Sequence, residues 1–254
     1  MLYNIYMKKY LLILSIVITN LCDGQIKYTS VLYGKITNKE VVKDTDKEMA
    51  DWLTKIRNAA DKIEYTLNYN QNEAYFFANS SLTENDINFN LSAILGEGKL
   101  KYYQNNNSKE FREFRDSKRT GKVIVNNEQI CKWTLTNETK IIGEHKCFKA
   151  TTPLYEEGKI NEGVTIIAWY TPEIPGSFGP NGYGGLPGLI IELQGFKAMF
   201  FVKQINLALN KEPEIDKLLS PKAISKETYM MMVMGTFSKE QLKGIKEVEE
   251  KQNK

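Results

Sequence analysis

The chain has 254 residues, of which 42% are hydrophobic and 26% charged, and its formal net charge at pH 7 is +3. A charge balance this close to neutral argues against nucleic acid or an anionic surface as the main partner. The length suffices for one sizeable domain or two small ones.

Residues 7–24 have the pattern of a secretory signal peptide. The positive start Met7-Lys8-Lys9 precedes an apolar run over residues 10–18. That run is shorter than the roughly 20 residues that a membrane span requires. We therefore predict cleavage before Gln25 and a mature chain that has no transmembrane span.

Two details of this leader stay open or are disfavoured. Met1 and Met7 are both possible starts, because the first six residues add nothing to the signal pattern. Cys22 follows Asn20-Leu21 instead of the small residues of a lipoprotein signal. We therefore expect a periplasmic or secreted protein without a lipid anchor.

The mature chain begins with a predicted strand and the clearest predicted helix. Residues 26–36 alternate in polarity, which predicts a strand. Residues 44–60 predict a helix, with Thr45 and Glu48 as a capping box. Its apolar residues recur at helical spacing and predict a face packed on a sheet: Met49, Trp52, Leu53, Ile56 and Ala60.

The polarity pattern then changes to a period of two. Short alternating segments between Ile63 and Leu207 are separated by Asn-rich and Gly-containing turns, while residues 80–95 are ambiguous. About ten strands of this kind predict a mainly β (α+β) fold: a single curved antiparallel sheet, half-barrel-like, with one helix near the N-terminus and one at the C-terminus. We divide the chain into a leader (1–24), a β-rich domain (25–210) and a C-terminal extension (211–254).

The C-terminal extension has three predicted parts. Residues 213–226 form a polar connection with a short apolar patch at Leu218-Leu219. Residues 229–233 contain three consecutive methionines, which on a strand would point to alternate faces, so core packing is favoured over a copper site. Residues 238–254 predict a charged helix that starts with a second capping box at Ser238 and Gln241.

Two cysteines remain after removal of the leader, Cys131 and Cys147. An exported chain meets oxidising conditions, and the two residues lie on segments that look like adjacent strands. We predict a disulfide between them, with two buried thiols as the alternative. Together with the single histidine, His145, they lack the fourth ligand of a zinc site.

The region between residues 171 and 195 is the most unusual part of the sequence. It holds four of the seven prolines and many glycines between two apolar runs. Proline fixes φ, and glycine permits positive φ, so the composition predicts one defined backbone path. Loops of this kind often carry binding.

Catalytic and cofactor motifs are missing from the sequence. It has no Gly-x-Ser-x-Gly elbow and no phosphate-binding Gly-Lys-Ser/Thr loop. A Cys-His enzyme using Cys147 and His145 would need a free thiolate, which conflicts with a disulfide. The 14 tyrosines and 11 phenylalanines suit either an apolar pocket or an ordinary sheet core. We predict no cofactor, no metal and no enzyme.

The hexapeptide Gly185-Leu186-Pro187-Gly188-Leu189-Ile190 resembles the signature of the GLPGLI family, exported proteins of Bacteroidetes-type bacteria. Residues 169–180 also resemble the family's pattern, as do blocks within residues 133–150. The resemblance implies export from a Gram-negative cell but no activity, because the family has no established function. Its strand pattern looks similar to the half-barrel of periplasmic lipoprotein carriers, which implies a fold only.

From these observations we predict a non-enzymatic envelope protein that binds an apolar small molecule, lipid or peptide, or docks an envelope protein, through residues 169–188. One alternative is a structural or assembly protein in which this segment only determines the fold, and another is a cysteine-dependent enzyme. The candidate binding residues are Trp169, Tyr170, Pro172, Ile174, Pro175, Gly179, Pro180, Gly185, Leu186, Pro187 and Gly188.

Overall fold

The computed structural model describes residues 27–38, 47–79, 101–117, 119–127, 131–156, 159–209, 211–220 and 223–235. Four predictions lie outside these residues: the signal peptide with Cys22, the Thr45 half of the capping box, the ambiguous segment 80–95 and the helix over residues 238–254.

The described residues form twelve strands in one open sheet. The order across the sheet is β12-β6-β5-β4-β3-β2-β1-β11-β10-β9-β8-β7. The strands are β1 (Tyr28–Thr37), β2 (Tyr65–Tyr69), β3 (Glu73–Ala78), β4 (Lys101–Asn105), β5 (Glu110–Ser117), β6 (Gly121–Asn127), β7 (Thr134–Ile142), β8 (His145–Glu156), β9 (Lys159–Thr171), β10 (Leu189–Gln194), β11 (Ala198–Leu209) and β12 (Ile224–Ser225). Only β12 runs parallel to its neighbour, β6. The mainly β class is confirmed, but the sheet is mixed instead of purely antiparallel.

The sheet is strongly curved. Gly182 accepts a hydrogen bond from Gln104 of β4, while Gly184 accepts one from Trp133, which immediately precedes β7. Eight inter-strand steps separate β4 from β7, which is about 38 Å in a flat sheet. Two residues span at most about 7 Å. Even with the reach of two side chains, the contacts require the sheet to curl around the loop that carries these glycines.

The inner face of the curved sheet is filled by aromatic side chains. Tyr65 stacks on Phe76 with ring centroids 5.4 Å apart, and Phe200 meets Tyr65 edge-on at 5.3 Å. Fully buried Tyr33 donates a hydrogen bond from its hydroxyl to the carbonyl oxygen of Ile190 at 2.6 Å. Burial raises the pKa of Tyr33 well above its usual value, so the phenol remains a donor. These rings form the core predicted by the alternating pattern.

Helix α1 (Lys47–Ala60) uses only part of its predicted apolar face. Ile56 and Ala60 are buried, as is Ala59. Met49 and Trp52, however, are 45% and 46% exposed. The predicted stripe is therefore wrong for the first half of the helix, because only the last turns of the helix pack against the sheet.

The residues after β11 wrap around the sheet. Residues 211–220 cross its outer face, β12 extends its edge, and helix α2 (Lys226–Met234) packs Met232 against Val123 and Val125. Ser225 caps α2 by accepting a hydrogen bond from the backbone of Thr228 at 3.1 Å. The three methionines lie on this helix and not on a strand, and Met232 packs in the core. Among the described residues, neither helix has the length and apolar character that crossing a bilayer requires.

Candidate functional site

The candidate site is the loop between β9 and β10, residues 172–188. Two arms of this loop are held side by side. The backbone N–H of Gly185 donates to the carbonyl of Ser177 at 2.7 Å, and Leu189 donates to Ile174 at 3.3 Å. The tip between the arms is a single 3-10 turn, Pro180–Gly182. The Pro/Gly-rich composition therefore forms a compact loop whose two arms are hydrogen-bonded to each other.

Side chains from two strands, a turn and the segment before β7 donate hydrogen bonds to this loop, three to backbone carbonyls and one to a hydroxyl. Each anchor donates a hydrogen bond to a loop acceptor that would otherwise need water or be buried without a partner. They are Tyr69 to the Pro175 carbonyl at 3.0 Å, Gln104 to the Gly182 carbonyl at 2.6 Å, Trp133 to the Gly184 carbonyl at 2.8 Å, and Asn106 to the Ser177 hydroxyl at 2.7 Å. Burial raises the pKa of Tyr69 to about 12, which keeps this donor protonated at neutral pH.

The inner side of the loop belongs to the main core. Ile174, Phe178 and Leu186 are 2%, 1% and 2% exposed. Phe178 packs on the ring of Tyr69, with centroids 5.7 Å apart. The burial of three large apolar side chains stabilises the loop by several kcal/mol on the usual scale of about 1.5–3 kcal/mol each. Ile174 and Leu186, two of the predicted binding residues, are buried in this core.

Two glycines are required by close backbone packing. A Cβ on Gly188, which has φ +149°, would lie 2.1 Å from the carbonyl oxygen of Thr171. A Cβ on Gly179 would lie 2.6 Å from Cδ1 of Ile190. Gly188 therefore allows the start of β10 to approach the end of β9 closely, and Gly179 allows the loop tip to pack on Ile190 of β10. Together with buried Pro180, these residues act as fold determinants.

The outer side of the loop is a small exposed surface made by the remaining predicted residues. Pro172, Pro175, Gly185 and Pro187 are all exposed. We define these four residues as the outer strip. The hydrogen bonds between the two arms hold their backbones in place. Three of the four are prolines, which have no backbone N–H and a fixed φ. The strip is therefore pre-ordered before any contact forms.

Trp169 and Tyr170 lie on opposite faces of β9. Tyr170 is buried and packs on Phe148, with centroids 6.1 Å apart. Half-buried Trp169 is covered by Lys140, whose Nζ lies 4.4 Å from the ring centroid. The same ammonium pairs with Glu192 at 3.0 Å. Lys140 therefore combines an ion pair with a cation–π contact to Trp169, one of the predicted binding residues.

His145 lies at the edge of the outer strip. Its Nδ1 is 3.1 Å from Oε2 of exposed Glu173, and the backbone N–H of Lys146 donates to the other oxygen of that carboxylate at 3.4 Å. The thiol of Cys147 donates to the backbone carbonyl of His145 at 3.6 Å, not to its ring. The imidazole and the thiol are therefore engaged with different partners, so they do not form a nucleophile–base pair here.

The predicted disulfide is not formed, because Cys131 and Cys147 are free thiols. Thr134 pairs with Thr151 in the β7–β8 ladder, and Cys147 lies four residues farther along β8, about 13 Å away. Cys131 lies beyond Thr134 in the other direction. A disulfide needs Cα atoms within about 7 Å. The strands are adjacent as predicted, but their register separates the sulfur atoms.

Both thiols are in environments that suppress reactivity. Burial raises the pKa of Cys131 to about 11 and that of Cys147 to about 11. The described residues also contain no group of three or more His, Cys, Asp or Glu side chains placed to hold a metal ion. At neutral pH these cysteines are almost entirely protonated, which lowers their nucleophilicity.

The anchoring residues are the part of the site that sequence reasoning missed. The sequence pattern places Asn106 only in an Asn-rich turn and Tyr69 only in an alternating strand, and it gives Gln104 no role. Nothing local distinguishes them from other polar and aromatic residues of a sheet. An excess of backbone acceptors in a Pro/Gly-rich loop was the one available signal, since such acceptors need donors from elsewhere in the chain.

Three comparisons with known proteins bear on this site. A family model described as a protein of unknown function (Porph_ging) matches residues 152–192, which include the loop and the hexapeptide at its end. No curated protein sequence matches the chain. The match agrees with a family of unknown function, while the GLPGLI name stays a prediction.

The solved structures of PNGF-II in two crystal forms share the fold. They are 15% and 14% identical to this chain, with a TM-score of 0.50 for each. Each alignment covers 82% of this chain and 33% of the other, so the chain spans about a third of the length of PNGF-II. A LolA superfamily protein from Nitrosomonas europaea also matches, with 6% identity over 74% of this chain and 88% of that one. Its TM-score of 0.27 is too low to bear on the predicted likeness to lipoprotein carriers.

Proposed function

We propose that this chain is an exported, non-enzymatic envelope protein that docks a protein partner through the outer strip, Pro172, Pro175, Gly185 and Pro187. The observation that carries the proposal is the division of one loop into two sides. The inner side is anchored in the core, while the outer side presents prolines to solvent. A surface that is already ordered loses little conformational entropy when a partner binds.

The hypothesis that residues 169–188 bind an apolar small molecule or lipid has less support. The aromatic rings of the inner face stack on one another and are buried. Trp169 is covered by Lys140. These contacts use the apolar surface that a small molecule or lipid would need. The raised pKa values of both thiols likewise support a role other than cysteine chemistry.

A structural or assembly role is the second candidate function. It is supported by Gly188 and Gly179, where a Cβ would lie 2.1 Å from the carbonyl oxygen of Thr171 and 2.6 Å from Cδ1 of Ile190. The two candidates make different predictions for the two sides. If the loop is only a fold determinant, substitutions that leave its inner side intact should have no effect on binding.

The test places a photo-crosslinking amino acid at Pro187, in the outer strip, and separately at Phe196, which is 46% exposed in the turn between β10 and β11. After illumination of living cells, we expect a discrete protein adduct from position 187 and none from position 196. Pro175→Arg should abolish the adduct, while the folded fraction measured by circular dichroism stays unchanged.

Two results would count against docking. Absence of a specific adduct from position 187 would favour the structural role. An adduct that survives Pro175→Arg in a folded protein would show that the partner binds elsewhere. Native mass spectrometry before and after organic extraction tests the remaining ligand hypothesis, because a co-purifying lipid mass would restore it.

A further inference from the structure

The outer face of the sheet carries an apolar groove that is distinct from the β9–β10 loop. Its floor is a continuous cross-strand row, in which Asn68 of β2 pairs with Tyr75, Tyr75 with Tyr103 and Tyr103 with Arg112 of β5. Phe77, Phe114 and Ile124 extend it on the next row. We define these seven residues as the outer groove.

One segment of the same chain, residues 211–220, lies in this groove, and we call it the strap. Leu218 and Ile215 pack on the aromatic floor, and Leu218 is 4% exposed. Tyr75 and Tyr103 are each 1% exposed as a result. Two apolar anchors three positions apart therefore fill the groove, while the next residue, Leu219, is 72% exposed.

The groove holds the strap by its backbone. Asn68 Nδ2 donates to the carbonyl oxygen of Glu214 at 2.8 Å, and an Arg112 guanidinium N–H donates to that of Lys217 at 3.0 Å. Side chains that bind backbone carbonyls do not read sequence, so the same contacts are available to another peptide segment. Selectivity comes from the two apolar positions and from the ion pair between Lys217 of the strap and Glu73 of β3, whose charged atoms are 3.3 Å apart.

The strap fits this groove imperfectly. Asn68 is 4% exposed, and its Oδ1 is buried with no hydrogen-bond partner. Leu218 has φ +48°, a left-handed conformation that a leucine rarely adopts. The backbone N–H of Leu218 donates to the side chain of Asp216 at 2.8 Å, not to the groove. An unsatisfied buried acceptor and a strained anchor both weaken the strap as an occupant.

We infer that the outer groove is a peptide-docking site and that the strap is its internal, displaceable occupant. The partner is a peptide segment with two branched apolar residues three positions apart, and it turns between them as the strap does, so that both residues face the floor. Such a segment fills the two apolar positions, accepts from Asn68 and Arg112, and donates a backbone N–H to Asn68 Oδ1. This inference does not depend on the outer strip.

The experiment uses the full chain and a fluorescein-labelled peptide with the sequence of residues 211–220. Leu218→Asp in the chain weakens the strap, because a carboxylate cannot occupy the aromatic floor without desolvation. Fluorescence anisotropy should show that the peptide binds this variant at least tenfold more tightly than the wild-type chain, whose groove is occupied.

Two controls connect the binding to the groove. Adding Arg112→Ala to the Leu218→Asp chain should weaken binding several-fold, because one carbonyl contact is lost. A peptide with aspartate at the positions of Ile215 and Leu218 should not bind. If Leu218→Asp fails to fold by circular dichroism, Leu218→Gly replaces it, since glycine tolerates φ +48° and removes the anchor.

A folded strap variant that binds the peptide no better than wild type would overturn the inference. So would binding that does not depend on the two apolar residues of the peptide. Light scattering would reveal a dimer formed by strap exchange. A dimer that leaves the peptide unbound would make a second copy the occupant and would also overturn the inference.

Discussion

Replacing Lys35 with methionine should make the protein more stable at neutral pH. Lys35 lies on β1, is 1% exposed, and places its Nζ 6.0 Å from the ring centroid of Tyr65. Burial lowers the pKa of its ammonium from 10.5 to about 8, and the Asp61 carboxylate opposes this shift only in part. The folded protein therefore binds this proton more weakly than the unfolded chain does.

The sign and size of the effect follow from the two pKa values. Below pH 8 the amine is charged in both states, so the folded state bears the net cost that its lowered pKa expresses. Between pH 8 and 10.5 the unfolded chain binds more protons, and stability rises with pH. A shift of about 2.5 pKa units corresponds to about 3 kcal/mol at 1.36 kcal/mol per unit. Lys35→Met should gain up to this amount at pH 7.

The assay is urea unfolding of both proteins at pH 7, 8, 9 and 10. Buried tyrosines such as Tyr33 have raised pKa values and lower the stability at the alkaline end, but this effect is common to both proteins and cancels in their difference. The difference should be largest at pH 7 and shrink toward pH 10. Lys197→Met, at an exposed turn position, is the control and should change the free energy of unfolding by less than about 0.5 kcal/mol.

A Lys35→Met protein no more stable than wild type at pH 7 would refute this reasoning. It would mean that the ammonium is better solvated or paired than its burial indicates. A gain of constant size from pH 7 to 10 would also refute it, because packing of the methionine, and not removal of a charge, would then explain the result.

Three further predictions concern the loop and its surroundings. Tyr33→Phe should lower the free energy of unfolding by about 1–3 kcal/mol in urea titrations, because the buried carbonyl of Ile190 loses its 2.6 Å donor; an unchanged midpoint would contradict the hydrogen bond. Gly188→Ala should lower the melting temperature far more than Gly185→Ala, because a Cβ would lie 2.1 Å from a carbonyl oxygen at the first position and meets nothing within 4 Å at the second; equal effects would show that positive φ alone is the constraint. Cys147 should resist iodoacetamide at pH 8 in the native protein and react on unfolding, as followed by mass spectrometry, because burial raises its pKa to about 11; rapid native labelling would contradict this.

Elements with a strong period were predictable from the sequence. The alternation that indicated a first strand over residues 26–36 corresponds to β1, and the Asn-rich turns lie where β2 meets β3 and β4 meets β5. The Pro/Gly-rich segment was correctly located as a defined loop. These features depend on local polarity and on backbone preferences, which neighbouring residues determine.

Contacts between distant strands decided the rest. Cys131 precedes β7 instead of lying on a strand, and the β7–β8 register places it far from Cys147, so both thiols are free. The three consecutive methionines form a helix, because the capping residue Ser225 and the packing of Met232 outweigh the weak local pattern. The division of the β9–β10 loop into anchored and exposed sides depends on Gln104 and Trp133, which no local pattern connects to it. The sequence by itself determined the β-rich class and the place of the loop, since both follow from short-range periodicity. Only the tertiary structure decided which side of that loop faces solvent and which segment covers the outer groove, because burial is a property of the whole curved sheet.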